Sequence, residues 1–409
     1  MKKTSTILNS AMNRRGLLKS AVASIPVPYI LTSTALGAGD TPAASERIVM
    51  GGIGIGNMGG GDQGAFLGRD EVQYVAVCDV RKDVRERAKG RVDGRYGNKD
   101  CAAYNDFREL MARDDIDAIH CATPDHWHGI VVVRACEAGK DVYCQKPESI
   151  CVREGRAMVN AARKYGRVVS GGSQRVLGDY GGLARKVWAG EVGNVKEVFV
   201  NVGGPSKECN LEGEPVPDGI DWEMWLGPAP YAPYHPYRIS GSFSINGKSW
   251  RSWRDYSGGG MTDWGAHKFG GAMFVADIRD QGPTEVIPPD GKDVKYLTYM
   301  FPGGLKLYHS PGKGNVDVVG DNQSVPAKPF PSYKGKGGIY GDFLHCVRTR
   351  QKPFRDIERA HKTMCVCHLG LIAYQLGRPL KWDADKETCP GDEAANRLLD
   401  RPRREPWTI

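Results

Sequence analysis

The chain has 409 residues, enough for two domains rather than one ordinary core. With 40% hydrophobic and 25% charged residues it is neither disordered nor a polytopic membrane protein, and its 53 glycines follow no collagen period. The formal charge of +8 does not imply nucleic acid as a partner: Lys2, Lys3, Arg14, Arg15 and Lys19 supply five of those charges before the first acidic residue.

Residues 1–45 read as an address rather than as fold. Asn13-Arg14-Arg15-Gly16-Leu17-Leu18-Lys19 has the form of a twin-arginine export signal, followed by an uncharged stretch from Ser20 to Gly39. Pro26 and Pro28 make that stretch a poor membrane-spanning helix. The expectation is delivery by the twin-arginine export machinery to the periplasm, with an uncleaved leader acting as an anchor as the alternative. Small residues at Ser33/Ala35 and Gly37/Gly39 offer several cleavage points. The eleven cysteines show no disulfide-scaffold spacing. Cys78, Cys121 and Cys144 fall in apolar strand-like runs, and Cys365 and Cys367 face different sides of a helical pattern; all read as core.

From Arg47 the pattern alternates short apolar runs with amphipathic stretches, as βαβ units do. Strands are expected at Arg47–Ile53, Val72–Asp79, Ala118–Thr123, Asp141–Cys144 and Val168–Gly171. Helices are expected from the glycine turn Gly54–Gly61, and at Lys82 to about Arg91, Phe107–Ala112, His128–Ala138 and Glu154–Tyr165. This first domain, residues 46–172, is a doubly wound parallel sheet of the Rossmann type. Residues 173–409 read as an α+β domain: a strand at Val195–Val202, an aromatic and glycine-rich stretch to Gly260, and a strand pair at Tyr296–Phe301 and Leu305–His309. Residues 311–338 read as loop, followed by helices at Gly341–Arg350 and Ala360–Leu376.

Gly54-Ile55-Gly56-Asn57-Met58-Gly59 is a G-x-G-x-x-G between a strand and a helix, and Asp79 ends the next strand twenty residues later. That context is the dinucleotide fingerprint: a tight turn, close backbone approach to a pyrophosphate at a helix N-terminus, and an acid for the ribose hydroxyls. Asp79 favours NAD; Arg81, two residues on, keeps NADP open. Thr123-Pro124-Asp125-His126-Trp127-His128 and Cys144-Gln145-Lys146-Pro147 each follow a strand end, the edge where doubly wound folds bind ligands. Thr123, Pro124, His128, Gln145 and Lys146 therefore join the cofactor-binding candidates. A zinc site on Asp125, His126 and His128 lacks a distant partner, and no metal is expected. Asp263 and His267 stand at i and i+4, one helical turn apart.

Together these residues resemble the glucose–fructose oxidoreductase / inositol dehydrogenase / MocA family over nearly the whole chain after residue 46. The resemblance rests on the glycine turn, Thr123–His128, Gln145-Lys146-Pro147, the run from Asp221 to Pro230 and Asp263-x-x-x-His267. The stretch Gly377–Asp383 resembles the end of exported, planctomycete-type members. The resemblance implies a C-terminal domain with a large open, mostly antiparallel sheet that makes homo-oligomer contacts. It also implies Lys146, Asp263 and His267 as the catalytic set of an NAD(P)-dependent oxidoreductase acting on a sugar carbinol. His267 is then the base, Lys146 stabilises the oxyanion, and Asp263 orients the imidazole or a second hydroxyl. The aromatics Trp222, Trp225, Tyr231, Tyr234, Tyr237, Trp250, Trp253, Tyr256 and Trp264 suit a carbohydrate ligand, although half of them read equally well as core. A redox-neutral NAD-dependent glycosidase and a non-catalytic sugar-binding protein are the alternatives. The chain departs from the family at Gln145, where most members have Glu. It also has Lys268 where relatives often have His, and Gly270 where many have Asp. The last two substitutions favour an anionic substrate such as a uronate or a sulfated sugar.

Overall fold

The strand and helix alternation after Ile48 folds as a six-stranded parallel sheet in the computed structural model, which describes residues 42–243, 246–310 and 316–409. The leader and its Arg14-Arg15 pair lie outside the described residues. The strands are β1 (Ile48–Ile53), β2 (Val72–Cys78), β3 (Ala102–Tyr104), β4 (Ala118–Cys121), β5 (Asp141–Cys144) and β6 (Val169–Gly171). They lie in the order β3-β2-β1-β4-β5-β6, so the chain reverses direction across the sheet between β1 and β4. The register places Ile53 beside both Cys78 and Cys121, and Cys121 beside Cys144. Four strands thus end level, and the loops that follow them converge on one crevice, the ligand position of an open parallel sheet. β4 and β5 are buried at every position, the continuous burial of strands covered on both faces.

Two elements depart from the sequence expectation in ways that matter later. The helix expected from His128 runs Asp125–Glu137, because Pro124 and Asp125 make a favourable helix start; Asp125 and His126 are therefore helical and buried. The helix at Lys82 continues to Tyr96 and ends on Gly97, whose φ is 69°. The short strand β3 was not anticipated.

The second half builds a six-stranded sheet from β7 (Val195–Val200), β8 (Glu285–Ile287), β9 (Leu297–Met300), β10 (Lys306–His309), β11 (Val316–Gly320) and β12 (Leu380–Lys381), in the order β11-β7-β10-β9-β8-β12. Only β7 and β10 pair in parallel, so the sheet is mostly antiparallel as expected. β11 lies inside the stretch read as loop; its Val-Asp-Val-Val pattern is short and flanked by Gly and Pro, which masked it. The helices Gly265–Val275 and Ile357–Leu376 cover this sheet through a core that includes Phe269, Phe274, Tyr299, Leu307 and Val366. Ile357–Leu376 also packs against the helix Val152–Lys164, and Gly171 N donates to Arg355 O at 2.9 Å, tying β6 to the second half. Residues from Ile48 to Ile409 form one unit. All eleven cysteines are free thiols, ten of them buried. Among the described residues no helix is long and apolar enough to cross a membrane.

Candidate functional site

The converging loops line a cavity of about 600 Å³ whose wall includes Gly54, Gly56, Asn57, Met58, Asp79, Arg81, Thr123, Pro124, Gln145 and Lys146. The glycine turn is built as a phosphate cradle. Gly54 has a φ of 77°, and a Cβ there would stand 2.6 Å from the Thr123 nitrogen. Gly59 lies against the Gly54 carbonyl, which a Cβ would strike, whereas a Cβ on Gly56 would meet nothing within 4 Å because that position faces the cavity. The helix Asn57–Leu67 starts there with its N–H groups toward the space. Asp79 accepts from Ile55 N and from Arg81 N, both at 2.9 Å, which fixes its carboxylate at the β2 end of the cavity. Burial raises the Asp79 carboxyl above the usual carboxylate range, partly offset by those two donors. The turn, the open face of Gly56 and the anchored acid fit a nicotinamide dinucleotide. Arg81 also lines the cavity and is paired with Asp83 at 2.9 Å.

A second-domain segment roofs the cavity. Lys82 N donates to Gly219 O, Asp221 N to Val80 O, and the Asn105 amide to the Asp221 carboxylate at 2.7 Å. At the other end the Asn57 amide donates to Gly241 O at 2.7 Å, and Arg251 donates to the Gly241 and Ser242 carbonyls. Trp225, Ile239 and Trp250 complete the wall. Of the nine aromatics singled out, these two tryptophans reach the cavity. Trp222, Tyr234, Trp253 and Tyr256 pack with them as a separate buried cluster, and Tyr231 and Tyr237 are exposed.

Lys146 reaches the wall and pairs with Asp263 Oδ1 at 2.6 Å, both side chains being largely buried. Arg251 approaches the same oxygen at 3.6 Å. Asp263 is therefore committed to two cations and does not orient the imidazole. That part falls to Ser173, whose Oγ lies 2.7 Å from His267 Nδ1 and 3.3 Å from Ala266 O. With the hydroxyl donating to the carbonyl, its oxygen accepts from Nδ1–H, and the Nε2 lone pair is left to take a proton. Burial and then the nearby Lys146, Arg175 and Arg355 charges hold the His267 pKa well below that of a free histidine, so the ring is neutral near pH 7.

Gln145 gains its meaning from a residue that sequence reasoning missed. Its amide donates to Asp62 Oδ2 at 2.8 Å, and its carbonyl oxygen accepts from Lys146 N at 3.0 Å. Asp62 is fully buried and also accepts from the Tyr340 hydroxyl at 2.6 Å. A Glu at position 145 would set a second carboxyl group against Asp62 in place of this amide donor. Asp125 was also missed as an active-site group. It is buried, and burial together with the Asp263 charge pushes its pKa up to about 7, against the pull of the Ser257 hydroxyl, Arg251 and Lys146.

His128 is not part of the cavity wall. Its nitrogens lie 2.7 Å from Pro147 O and 2.9 Å from Thr123 O, so the ring sits between two site loops and its one N–H donates to one of these carbonyls. Burial pushes its pKa down to about 4. His126 faces Trp225 O at 3.0 Å instead, so the two histidines do not converge. Two buried groups, Cys121/His128/Cys144 and His361/Cys365/Glu387, bring possible metal donors within 4.8 Å. In the first, His128 is committed to carbonyls; in the second, Glu387 pairs with Arg156 at 2.5 Å, a charge that opposes a metal ion.

Among curated proteins, a glycosyl hydrolase family 109 protein of Saccharopolyspora erythraea is 35% identical over 128 residues, 30% of this chain and 28% of that one. One from Shewanella baltica is 27% identical over 172 residues, 37% of each chain, so the match spans under two fifths of these relatives' length. Among solved structures, aldose-aldose oxidoreductase from Caulobacter crescentus, complexed with glycerol, superposes with a TM-score of 0.56 at 17% identity, covering 82% of this chain and 99% of that one. The WlbA dehydrogenase from Bordetella pertussis, in complex with NADH and UDP-GlcNAcA, gives 0.57 at 16% identity over 83% and 100%. At such identities these likenesses show the fold alone. Residues 48–173 match the oxidoreductase family with NAD-binding Rossmann fold, and residues 187–294 and 323–409 match its C-terminal alpha/beta domain. With both domains matched, in order and over most of the chain, the protein belongs to the glucose–fructose oxidoreductase / inositol dehydrogenase / MocA family.

Proposed function

We propose that the protein oxidises a carbinol of a sugar or sugar derivative with an NAD(P) cofactor held through many turnovers. The observation that carries this is Lys146 at the cavity wall, paired with buried Asp263, together with a buried, neutral His267 whose Nδ1 is fixed by Ser173. His267 Nε2 takes the hydroxyl proton, and the Lys146 ammonium stabilises the developing alkoxide. Asp263 holds that ammonium in place, and the roof of Trp225 and Trp250 excludes water. A nicotinamide bound in the cavity supplies the hydride acceptor. NAD is favoured over NADP by Asp79.

The leader adds a constraint. Export by the twin-arginine route to the periplasm takes the protein where free nicotinamide cofactor is scarce, so the cofactor is loaded before export and retained. The hydrogen bonds that Lys82, Asn105 and Asn57 donate to the roof segment, and the one that Val80 O accepts from Asp221 N, support retention, because the roof must lift before a dinucleotide escapes. A homo-oligomer through the second sheet completes the reading.

The curated relatives favour a second reading, a redox-neutral glycosidase in which transient oxidation precedes cleavage of the glycosidic bond. Adding a sugar panel and then a panel of aryl glycosides to the purified protein tests both. Absorbance at 340 nm that rises on a free sugar and falls on a second, acceptor sugar supports oxidoreduction. Aglycone release with no net absorbance change supports the glycosidase, and the absence of both responses refutes catalysis on sugars.

A further inference from the structure

Trp264 lies between the two halves of the catalytic pair, and its large side chain is 40% exposed while Asp263 and His267 on either side are buried. Its indole stands 5.9 Å from the His267 ring. Two cations lie over it: the Arg175 guanidinium at 5.3 Å and the Lys268 ammonium at 5.4 Å from the ring centroid. Arg175 gives one edge to Asp179 at 2.7 Å, but Lys268 makes no ion pair among the described residues and donates only to the Asn201 carbonyl, at 2.8 Å. Burial, and to a lesser extent the like charge of Arg175, lower the Lys268 pKa.

The surroundings add positive charge. Lys146 and Arg251 share one carboxylate, Asp263. A Cβ at Gly270 would come within 3.3 Å of the Arg355 guanidinium, so an acid at that position would neutralise it. In its absence Arg355 has its Nε and Nη2 without a hydrogen-bond partner, and its nearest carboxylate, Glu148, stands at 3.7 Å.

The geometry points to a substrate subsite on Trp264, flanked by Arg175 and Lys268, that takes an anionic sugar: a uronate or a sulfated sugar whose C–H face stacks on the indole and whose carboxylate or sulfate pairs with the two cations. This rests on the oxidation proposed above for the reaction, but its recognition chemistry stands apart from turnover. An exposed flat ring suits a carbohydrate face, and two cations within 5.4 Å of its centre select an oxyanion over a hydroxymethyl group.

Calorimetry on the cofactor-loaded protein with matched pairs tests it: glucose with glucuronate, galactose with galacturonate, and N-acetylglucosamine with its 6-sulfate. At least one acidic partner is expected to bind roughly tenfold more tightly than its neutral twin, with the advantage shrinking in high salt. Lys268→Met is expected to remove most of that advantage while leaving neutral-sugar binding in place. Trp264→Phe retains a stacking face and should preserve the preference, whereas Trp264→Ala should weaken both partners. Equal binding within every pair, no binding of either member, or a preference untouched by Lys268→Met each overturns the subsite. Acid-selective binding without any change at 340 nm would refute the oxidation and leave the subsite standing; oxidation of neutral and acidic sugars alike would do the reverse.

Discussion

The two ends of the cavity are built on different principles. At the glycine turn, function is carried by backbone: a φ of 77° at Gly54, an open Gly56 and N–H groups at a helix start. At the lysine end it is carried by side chains from distant segments, where Lys146 meets Asp263 across 117 positions and His267 meets Ser173 across 94. Backbone requirements leave few residue choices and fixed local spacing, so a single change is severe. Side-chain assemblies tolerate exchange of one group for another, provided that the charge count is kept.

The largest effect is expected where backbone carries the function. Gly59→Ala drives a methyl into the Gly54 carbonyl and Gly54→Ala adds a strained φ; each is expected to cost about 2 kcal/mol or more and to abolish cofactor retention. Thermal melting with a cofactor assay of the same preparations checks both effects. If either variant keeps its cofactor and its melting temperature, the backbone half of the comparison breaks.

Lys146→Ala and His267→Ala should lower kcat by roughly a hundredfold or more while the cofactor stays bound. Rates close to the unaltered protein in both would remove these residues from the chemistry.

The exchange of charge between sites gives a sharper contrast. Gln145→Glu sets a second carboxylate against buried Asp62 and should reduce kcat about tenfold through the displaced Lys146, whereas Gln145→Glu combined with Asp62→Asn restores the one-acid, one-amide pair and most of the rate. Failure of the double variant to improve on the single one would show that the two positions are not coupled.

A smaller effect belongs to Asp125. Its pKa near 7 lies above that of a free carboxyl, so it is protonated below pH 7 and gains a negative charge above it. That charge competes for Lys146 and weakens its hold on an alkoxide, so activity is expected to fall a few-fold as pH rises through about 7. His267, whose pKa is depressed, remains neutral over that window. Asp125→Asn should flatten the step; a step that persists belongs to another group.

Legibility in the sequence followed the same division. The strand ends, the glycine turn and Asp79 were readable because local spacing dictates them, and Lys146, Asp263 and His267 came from resemblance. Ser173, Arg251 and Asp62 carried no local signal, since each meets its partner only once the chain has folded: His267, Asp263 and Gln145 respectively. Asp125 was visible but was weighed as a zinc ligand, and starting its helix at His128 concealed that it opens the first turn inside the site. His128 drew attention by its motif and proved to be a brace between two carbonyls. β11 failed for a different reason: an edge strand of five residues amid Gly and Pro offers too little pattern to separate from a loop.

The proposed retention of the cofactor draws on both ends, because the roof over the glycine turn also carries Arg251, which stands 3.6 Å from Asp263. The direct test is to purify the protein without added cofactor, dialyse it at length, denature it and identify the released small molecules by mass spectrometry. About one NAD(H) per chain, absent from the dialysate and freed only by denaturation, is the expected result. A cofactor-free protein that needs added NAD for every turnover would contradict it.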